Sequence, residues 1–225
     1  SSGAFATCFT IIRVVFMSNF VSRPMSCLPA KLQSISSGDP LCEAAVDVVL
    51  ALAMAAANIA TVIRFPDADA ALGAVRGSTN VDGDDQKALD IFADEIIQNA
   101  LSEVTAVASY LSEEQDAVVQ INDDGTVIVA SDPLDGSSNI DTNVSIGTIF
   151  SILPAAGGIL QAGRNQIAAG FFVYGPQTTL LVTFGKSVMA FQLDDDGQFY
   201  DMDWQVKIIP DTNEFAINAS NMRQW

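Results

Sequence analysis

The order of the apolar periodicities restricts this fold more than any other feature: helical spacing early in the chain gives way to short strand-type runs later. Residues 44–63 form a nearly unbroken Ala-rich apolar run. Its start is marked by Asp39 as a cap, Pro40 in the first turn, where no N–H is needed, and Glu43 against the positive end of the helix dipole. Over 85–101, Leu89, Phe92, Ile96 and Ala100 recur at helical spacing and predict a second, amphipathic helix. Strand signals follow at 104–110, 117–121, 126–131, 144–153, 166–174, 178–184 and 188–193, with Gly, Pro and Asp punctuation between them. Asn122-Asp123-Asp124-Gly125 predicts a hairpin joining 117–121 to 126–131. Helices first and a mostly antiparallel sheet afterwards predict an α+β layered sandwich, the sheet packed against the helices.

Composition narrows the chemistry. With 225 residues, 49% of them hydrophobic, the chain can bury a large core and leaves apolar surface for another subunit. Ten Lys and Arg against 27 Asp and Glu give a net charge of -17, which repels nucleic-acid phosphates and anionic lipid and favours divalent cations. The absence of His excludes Ser-His-Asp and Cys-His nucleophile systems and His-ligated zinc. Catalysis must therefore run on carboxylates, hydroxyls and bound metal. Three Cys, all within the first fifth of the chain, form neither a disulfide framework nor a metal pattern and fit a reducing, cytoplasmic setting. The stretches 4–20 and 44–63 are apolar, but Arg13 interrupts the first, and the uncharged part of the second, 48–63, falls short of the about 20 residues needed to span a bilayer. A buried helix and no membrane partner are expected.

Three acidic segments carry the chemistry. Asp132-Pro133-Leu134-Asp135-Gly136-Ser137-Ser138-Asn139 follows directly on the apolar run 127–130. Asp132 and Asp135, with Pro133 stiffening the chain between them, can reach hard cations, and the Leu134 carbonyl can point the same way. Gly136 allows close backbone approach, and the N–H groups from Gly136 to Asn139 can hold a phosphate. An Asx turn with solvated acids is the alternative. Ser112-Glu113-Glu114, at a strand end, pairs adjacent like charges that a cation would relieve, though a solvated loop would serve equally. Asp82, Asp84, Asp85 and Asp90 span a Gly- and Asn-containing loop, 73–85, and the first turns of the second helix, where acids also simply oppose the dipole. Together the three segments predict a two-metal site that clamps a phosphoryl group and activates water, hence phosphate ester hydrolysis.

The stretch Asp132-Pro133-Leu134-Asp135-Gly136-Ser137-Ser138-Asn139-Ile140-Asp141, with Val144-Ser145-Ile146-Gly147-Thr148-Ile149-Phe150 behind it, closely resembles class I fructose-1,6-bisphosphatase of the sugar phosphatase superfamily. Gly77-Ser78-Thr79-Asn80-Val81, Ser112-Glu113-Glu114, Gly163-Arg164-Asn165, Ala168-Ala169-Gly170 and Tyr174-Gly175 extend the resemblance over 41–223. It implies that Glu113, Glu114, Asp132, the Leu134 carbonyl and Asp135 surround two or more Mg²⁺ ions, with Mn²⁺ or Zn²⁺ as substitutes. It implies that Gly136, Ser137 and Ser138 hold the 1-phosphate, that Asn218 contacts the sugar phosphate, and that Asp90, with Asp84 and Glu114, positions and deprotonates the attacking water. The loop 73–85 resembles the family's dynamic loop.

The implied reaction is Mg²⁺-dependent hydrolysis of fructose 1,6-bisphosphate to fructose 6-phosphate and phosphate, in gluconeogenesis or the Calvin cycle, by a homotetramer. Tyr174-Gly175-Pro176-Gln177-Thr178-Thr179 is also reminiscent of sedoheptulose-1,7-bisphosphatase. Alternatives are an inositol-phosphate phosphatase, whose relatives usually show Ile and Thr where Leu134 and Ser137 stand, and a non-catalytic assembly subunit. The family's longer chains supply a further Glu and basic residues for the 6-phosphate. The expected organisation is therefore an extension at 1–30, a metal- and phosphate-binding domain at 31–207, and the start of a second α/β domain at 208–225. Pro154 and Thr126-Val127 replace the family's AMP-binding residues, and 154–163 lacks the plastid type's cysteines. An enzyme without either control is expected.

Overall fold

The computed structural model describes residues 26–35, 38–64, 83–140, 142–204, 210, 211 and 213. Among the described residues three helices, α1 (Leu28–Gln33), α2 (Pro40–Arg64) and α3 (Gly83–Ser102), precede eight strands: β1 (Val107–Ser112), β2 (Val119–Gln120), β3 (Val127–Asp135), β4 (Ile146–Pro154), β5 (Ala168–Tyr174), β6 (Thr178–Thr183), β7 (Val188–Leu193) and β8 (Phe199–Asp201). The strands form one sheet in the order β2-β1-β3-β4-β5-β6-β7-β8. Every neighbouring pair is antiparallel except β1 with β3. This is the expected mostly antiparallel α+β arrangement, and two of its strands depart from the expected pairing.

The start of α2 follows its sequence signals. Asp39 caps it, its Oδ1 accepting the Leu41 N–H at 3.0 Å and its carbonyl the Glu43 N–H at 2.9 Å. By length and composition the helix could cross a membrane. Here its apolar face is built into the core: Val48, Val49, Ala55, Ala56 and Ile59 are buried, and the helix packs on α3 and on β3, β4 and β5. Small Ala side chains permit that close approach, and Met54 looks outward at 72% exposure. The strands match the helices by alternation. On β4, Ile146, Thr148, Phe150 and Ile152 face the core, and Ile149 between them is 46% exposed on the opposite face, beside Phe171 at 41%. Phe172 bridges Phe150 and Phe199, with both ring centroids 5.7 Å away.

The hairpin expected between 117–121 and 126–131 does not form. β2 pairs with β1, with Tyr110 opposite Val119, and the chain then passes around the start of β1 to emerge as β3 on its other side. The residues read as a hairpin turn make that passage. Gly125 N–H donates to the Asn122 carbonyl at 3.0 Å, Asn122 N–H to the Ala108 carbonyl at 3.2 Å, and Thr126 N–H to the Ala106 carbonyl at 2.8 Å. Gly125 is required by close approach, because a Cβ there would overlap the Ala108 backbone nitrogen. Turn chemistry was read correctly, and its partner was not.

Three further differences are smaller. The first strand begins at Val107, because Val104 and Val107 close a turn through the Val107 N–H to the Val104 carbonyl at 3.0 Å. β8 and α1 are too short to show a period, yet α1 buries Leu28 and Leu32 and is tied to β8 by the Lys31–Asp201 ion pair at 2.6 Å. The loop read at 73–85 lies outside the described residues up to 82, and its last three residues open α3.

Gly125→Ala is expected to lower the denaturation midpoint by an amount equivalent to about 1–3 kcal/mol, the usual cost of overpacking. Gly163→Ala, where an added Cβ meets nothing within 4 Å, should be neutral within about 0.5 kcal/mol.

Candidate active site

Parallel neighbours finish at the same end of a sheet, so the segments that leave β1 and β3 emerge side by side. Ser112 pairs with Ser131, and the Glu113 N–H donates to the Ser131 carbonyl at 3.1 Å, which places Glu113 beside Asp132. α3 completes the cluster from the helix side. Its Asp94 carboxylate accepts from the buried Tyr110 hydroxyl at 2.9 Å and from Gln115 Nε2 at 2.5 Å, and Gln115 also donates to Gln98 Oε1 at 2.8 Å. These bonds lash α3 to the end of β1. Asp90, one helical turn before Asp94, is thereby held where it feels the Glu113 charge.

The register between β3 and β4 explains how Asp132 and Asp135 serve one site. Residues three apart on a regular strand point to opposite faces. Here Asp132 lies opposite Ile149 and Asp135 opposite Gly147, so Pro133 and Leu134 together face the single residue Thr148. The extra residue makes a β-bulge that returns Asp135 to the face of Asp132. Pro133 and Leu134 are buried. Past the bulge, Gly136 adopts a left-handed φ of 79°, and a short 3-10 turn, Ser137–Asn139, follows. The Asn139 N–H closes it on the Gly136 carbonyl at 2.8 Å.

The electrostatics are those of crowded anions. Burial, then a hydrogen bond with Glu113 and the charges of Glu113 and Asp135, push Asp132 up to about 7. Burial also raises Asp90, against a hydrogen bond from Ser137 and with help from the Glu113 charge. Asp90 Oδ1 is buried with no hydrogen-bond partner, an uncompensated acceptor on a carboxylate that feels the Glu113 charge. One oxygen of Asp132 is already occupied, accepting the Leu134 N–H at 3.2 Å. The acids open onto a groove of about 600 Å³ that Glu113, Asp132, Ile149 and Phe171 line, next to a second of about 750 Å³ bordered by Asp135, Gly136 and Asn139.

The structure thus brings together Asp90, Glu113, Asp132, Leu134, Asp135, Gly136 and Ser137. Glu114 follows Glu113 as an exposed residue, its N–H accepted by the Ser112 hydroxyl at 3.2 Å. Asn218 and the side chains of Asp84 and Ser138 lie outside the described residues. Among the described residues, no three Asp, Glu or Cys side chains are drawn tightly enough to form a ready-made metal cage. The donor set of hard carboxylate oxygens, beside a buried and unpaired oxygen of Asp90, fits Mg²⁺ nonetheless. Sequence reasoning missed the Asp94, Gln115 and Tyr110 brace. Its one visible signal was the four-residue spacing of Asp90 and Asp94 on a helix face.

Tyr110→Phe is expected to cost about 1–3 kcal/mol in denaturant unfolding, because the buried Asp94 loses a donor.

Comparison with known proteins agrees with this geometry. The family described as fructose-1-6-bisphosphatase, N-terminal domain, matches residues 37–203. A protein of Cereibacter sphaeroides named fructose-1,6-bisphosphatase class 1 1 is 45% identical over 214 residues, covering 93% of this chain and 60% of its own length. Another of that organism, class 1 2, is 50% identical over 184 residues, covering 80% and 55%, and a class 1 relative from Rhodobacter capsulatus is 49% identical with the same coverage. The chain therefore spans 60% or less of the length of these relatives. The crystal structure of Leishmania major fructose-1,6-bisphosphatase in holo form superposes with a TM-score of 0.74 at 25% identity, covering 89% of this chain and 62% of that one. Motif, fold and relatives agree: the chain belongs to the class 1 fructose-1,6-bisphosphatase family.

Proposed function

We propose that this chain supplies the metal- and phosphate-binding part of an enzyme that hydrolyses the 1-phosphate of fructose 1,6-bisphosphate. The observation that carries the reading is the convergence of Asp90, Glu113, Asp132 and Asp135 beside the Gly136–Asn139 turn, in a member of this family. The charges of Glu113 and Asp135 act on Asp132, and that of Glu113 on Asp90, and divalent cations are the counter-charge that suits such a cluster. Glu113, Glu114, Asp132, the Leu134 carbonyl and Asp135 would hold Mg²⁺, with Mn²⁺ or Zn²⁺ as substitutes. Bound there, the ions would neutralise phosphoryl charge and lower the pKa of water.

The residues of this chain do the rest. Backbone N–H groups and the Ser137 and Ser138 hydroxyls orient the phosphoryl oxygens, and Gly136 leaves room for their approach. Asp90, through its unpaired Oδ1, accepts a proton from the attacking water, with Asp84 and Glu114 assisting. Asn218 contacts the sugar phosphate. The reading extends to sedoheptulose 1,7-bisphosphate as a second substrate and to a cytoplasmic homotetramer.

The test is phosphate release by the full-length protein that carries this chain. Turnover of fructose 1,6-bisphosphate is expected with Mg²⁺, loss on chelation and recovery on Mg²⁺ return. Asp135→Asn should reduce kcat by about 10²–10³-fold, the scale of removing a group that stabilises transition-state charge, with the circular-dichroism spectrum unchanged. Normal Mg²⁺-dependent turnover in that variant would overturn the reading. A higher kcat/KM for inositol monophosphate, assayed alongside, would overturn the substrate assignment.

A further inference from the structure

The bulge that turns Asp135 back toward Asp132 is pinned from behind by two buried hydroxyls. Thr148, 1% exposed, donates its hydroxyl to the Pro133 carbonyl at 2.7 Å. A carbonyl can only accept, so the single Thr148 proton is committed there. The Tyr174 hydroxyl, 2.7 Å from Thr148 Oγ1, must then be the donor to Thr148. The result is a one-way relay, Tyr174 O–H to Thr148 O–H to Pro133 C=O, running from β5 through β4 into β3. Burial raises the Tyr174 pKa, so the phenol keeps its proton and its donor role.

The relay acts where regular pairing fails. Pro133 has no N–H, and the ladder skips it between the Asp132–Ile149 and Asp135–Gly147 pairs. Its carbonyl would lie buried and unpaired without Thr148, a cost that would favour another local backbone path. Sliding the bulge by one residue would send one of the two carboxylates to the opposite face.

We propose that Thr148, oriented by Tyr174, is a positioning residue that fixes the Pro133–Leu134 bulge and thereby aims Asp132 and Asp135 at the same cation. The inference rests on the functional reading above. It assigns to two core residues, neither of which touches substrate, the geometry of the carboxylates in front of them.

The experiment compares the full-length wild-type protein with Thr148→Val, Thr148→Ser and Tyr174→Phe by two readouts. The first is Mn²⁺ binding followed by electron paramagnetic resonance, without substrate. The second is amide hydrogen exchange in the metal-free protein. Thr148→Val should weaken Mn²⁺ binding about tenfold, as loss of an outer-shell partner does. It should also speed exchange at Leu134 and Asp135 about tenfold, the consequence of one lost buried hydrogen bond, with β7 amides unchanged. Thr148→Ser, which keeps the hydroxyl, should restore both readouts, and Tyr174→Phe should shift both in the same direction by less.

Wild-type Mn²⁺ affinity and wild-type exchange at Leu134 and Asp135 in Thr148→Val overturn the inference alone. Uniform acceleration across the sheet, or failure of Thr148→Ser to rescue, also overturns it by showing a merely structural role. Absence of Mn²⁺ binding by the wild-type protein overturns the functional reading and the metal role with it. If Thr148→Val does not fold, Tyr174→Phe decides by the same two readouts.

Discussion

The parallel pairing of β1 with β3 is the constraint on which the rest of the site depends. In an otherwise antiparallel sheet, consecutive strands end at opposite sides, and acidic segments leaving two neighbours would be a strand length apart. The chain avoids this by laying β2 on the outside of β1 and passing beneath the start of β1 before β3 begins. One inserted crossing converts two motifs separated in sequence into one cluster, and the cost is a glycine at the point of closest approach.

Gathering anions has an energetic consequence that the scaffold has to absorb. Asp132 is pushed up by burial and by its two acidic neighbours, and Asp90 keeps a buried oxygen without a partner. Such groups persist only when the surrounding structure over-determines them. Two braces do so here. The Tyr110–Asp94–Gln115 network fixes the helix behind the cluster, and the Tyr174–Thr148–Pro133 relay fixes the strand that carries it. Both are built from polar groups satisfied in the interior, where a satisfied network rigidifies and an unsatisfied one would be costly.

Much of this was legible in the sequence, for reasons that differ by element. The cap of α2 and the alternation of β4 and β6 are local, so Asp39, Pro40 and the period of two announced them. The acidic motif was legible because Asp, Pro and Gly occupy positions whose chemistry each residue restricts. The partner of β2 was not legible. Asn122 to Gly125 has the composition of a tight turn whether the next strand pairs with its predecessor or with the strand beyond, and only the docking of β3 against β1 decides. Thr148 and Tyr174 read as ordinary strand residues, because a β-branched side chain and an aromatic one suit a sheet with or without a hydroxyl partner. The bulge that gives them a purpose appears only once Asp132 and Asp135 are set opposite β4.

The far edge of the sheet carries a consequence for biosynthesis. Cys27 bridges to Tyr200, and the Asp201 N–H donates to the Ser26 carbonyl at 2.9 Å, so the earliest described residues close on the last strand. A ribosome delivers α2 before that strand exists; its principal partner α3 follows directly, but the part of its Ala, Val, Leu and Ile face that β3, β4 and β5 cover waits for the sheet. From β3 onward each strand finds its mate next to it in sequence and can zip up as it appears. Until β3, β4 and β5 have been made, the nascent helix pair presents apolar surface to water, an interval in which shielding by a chaperone matters.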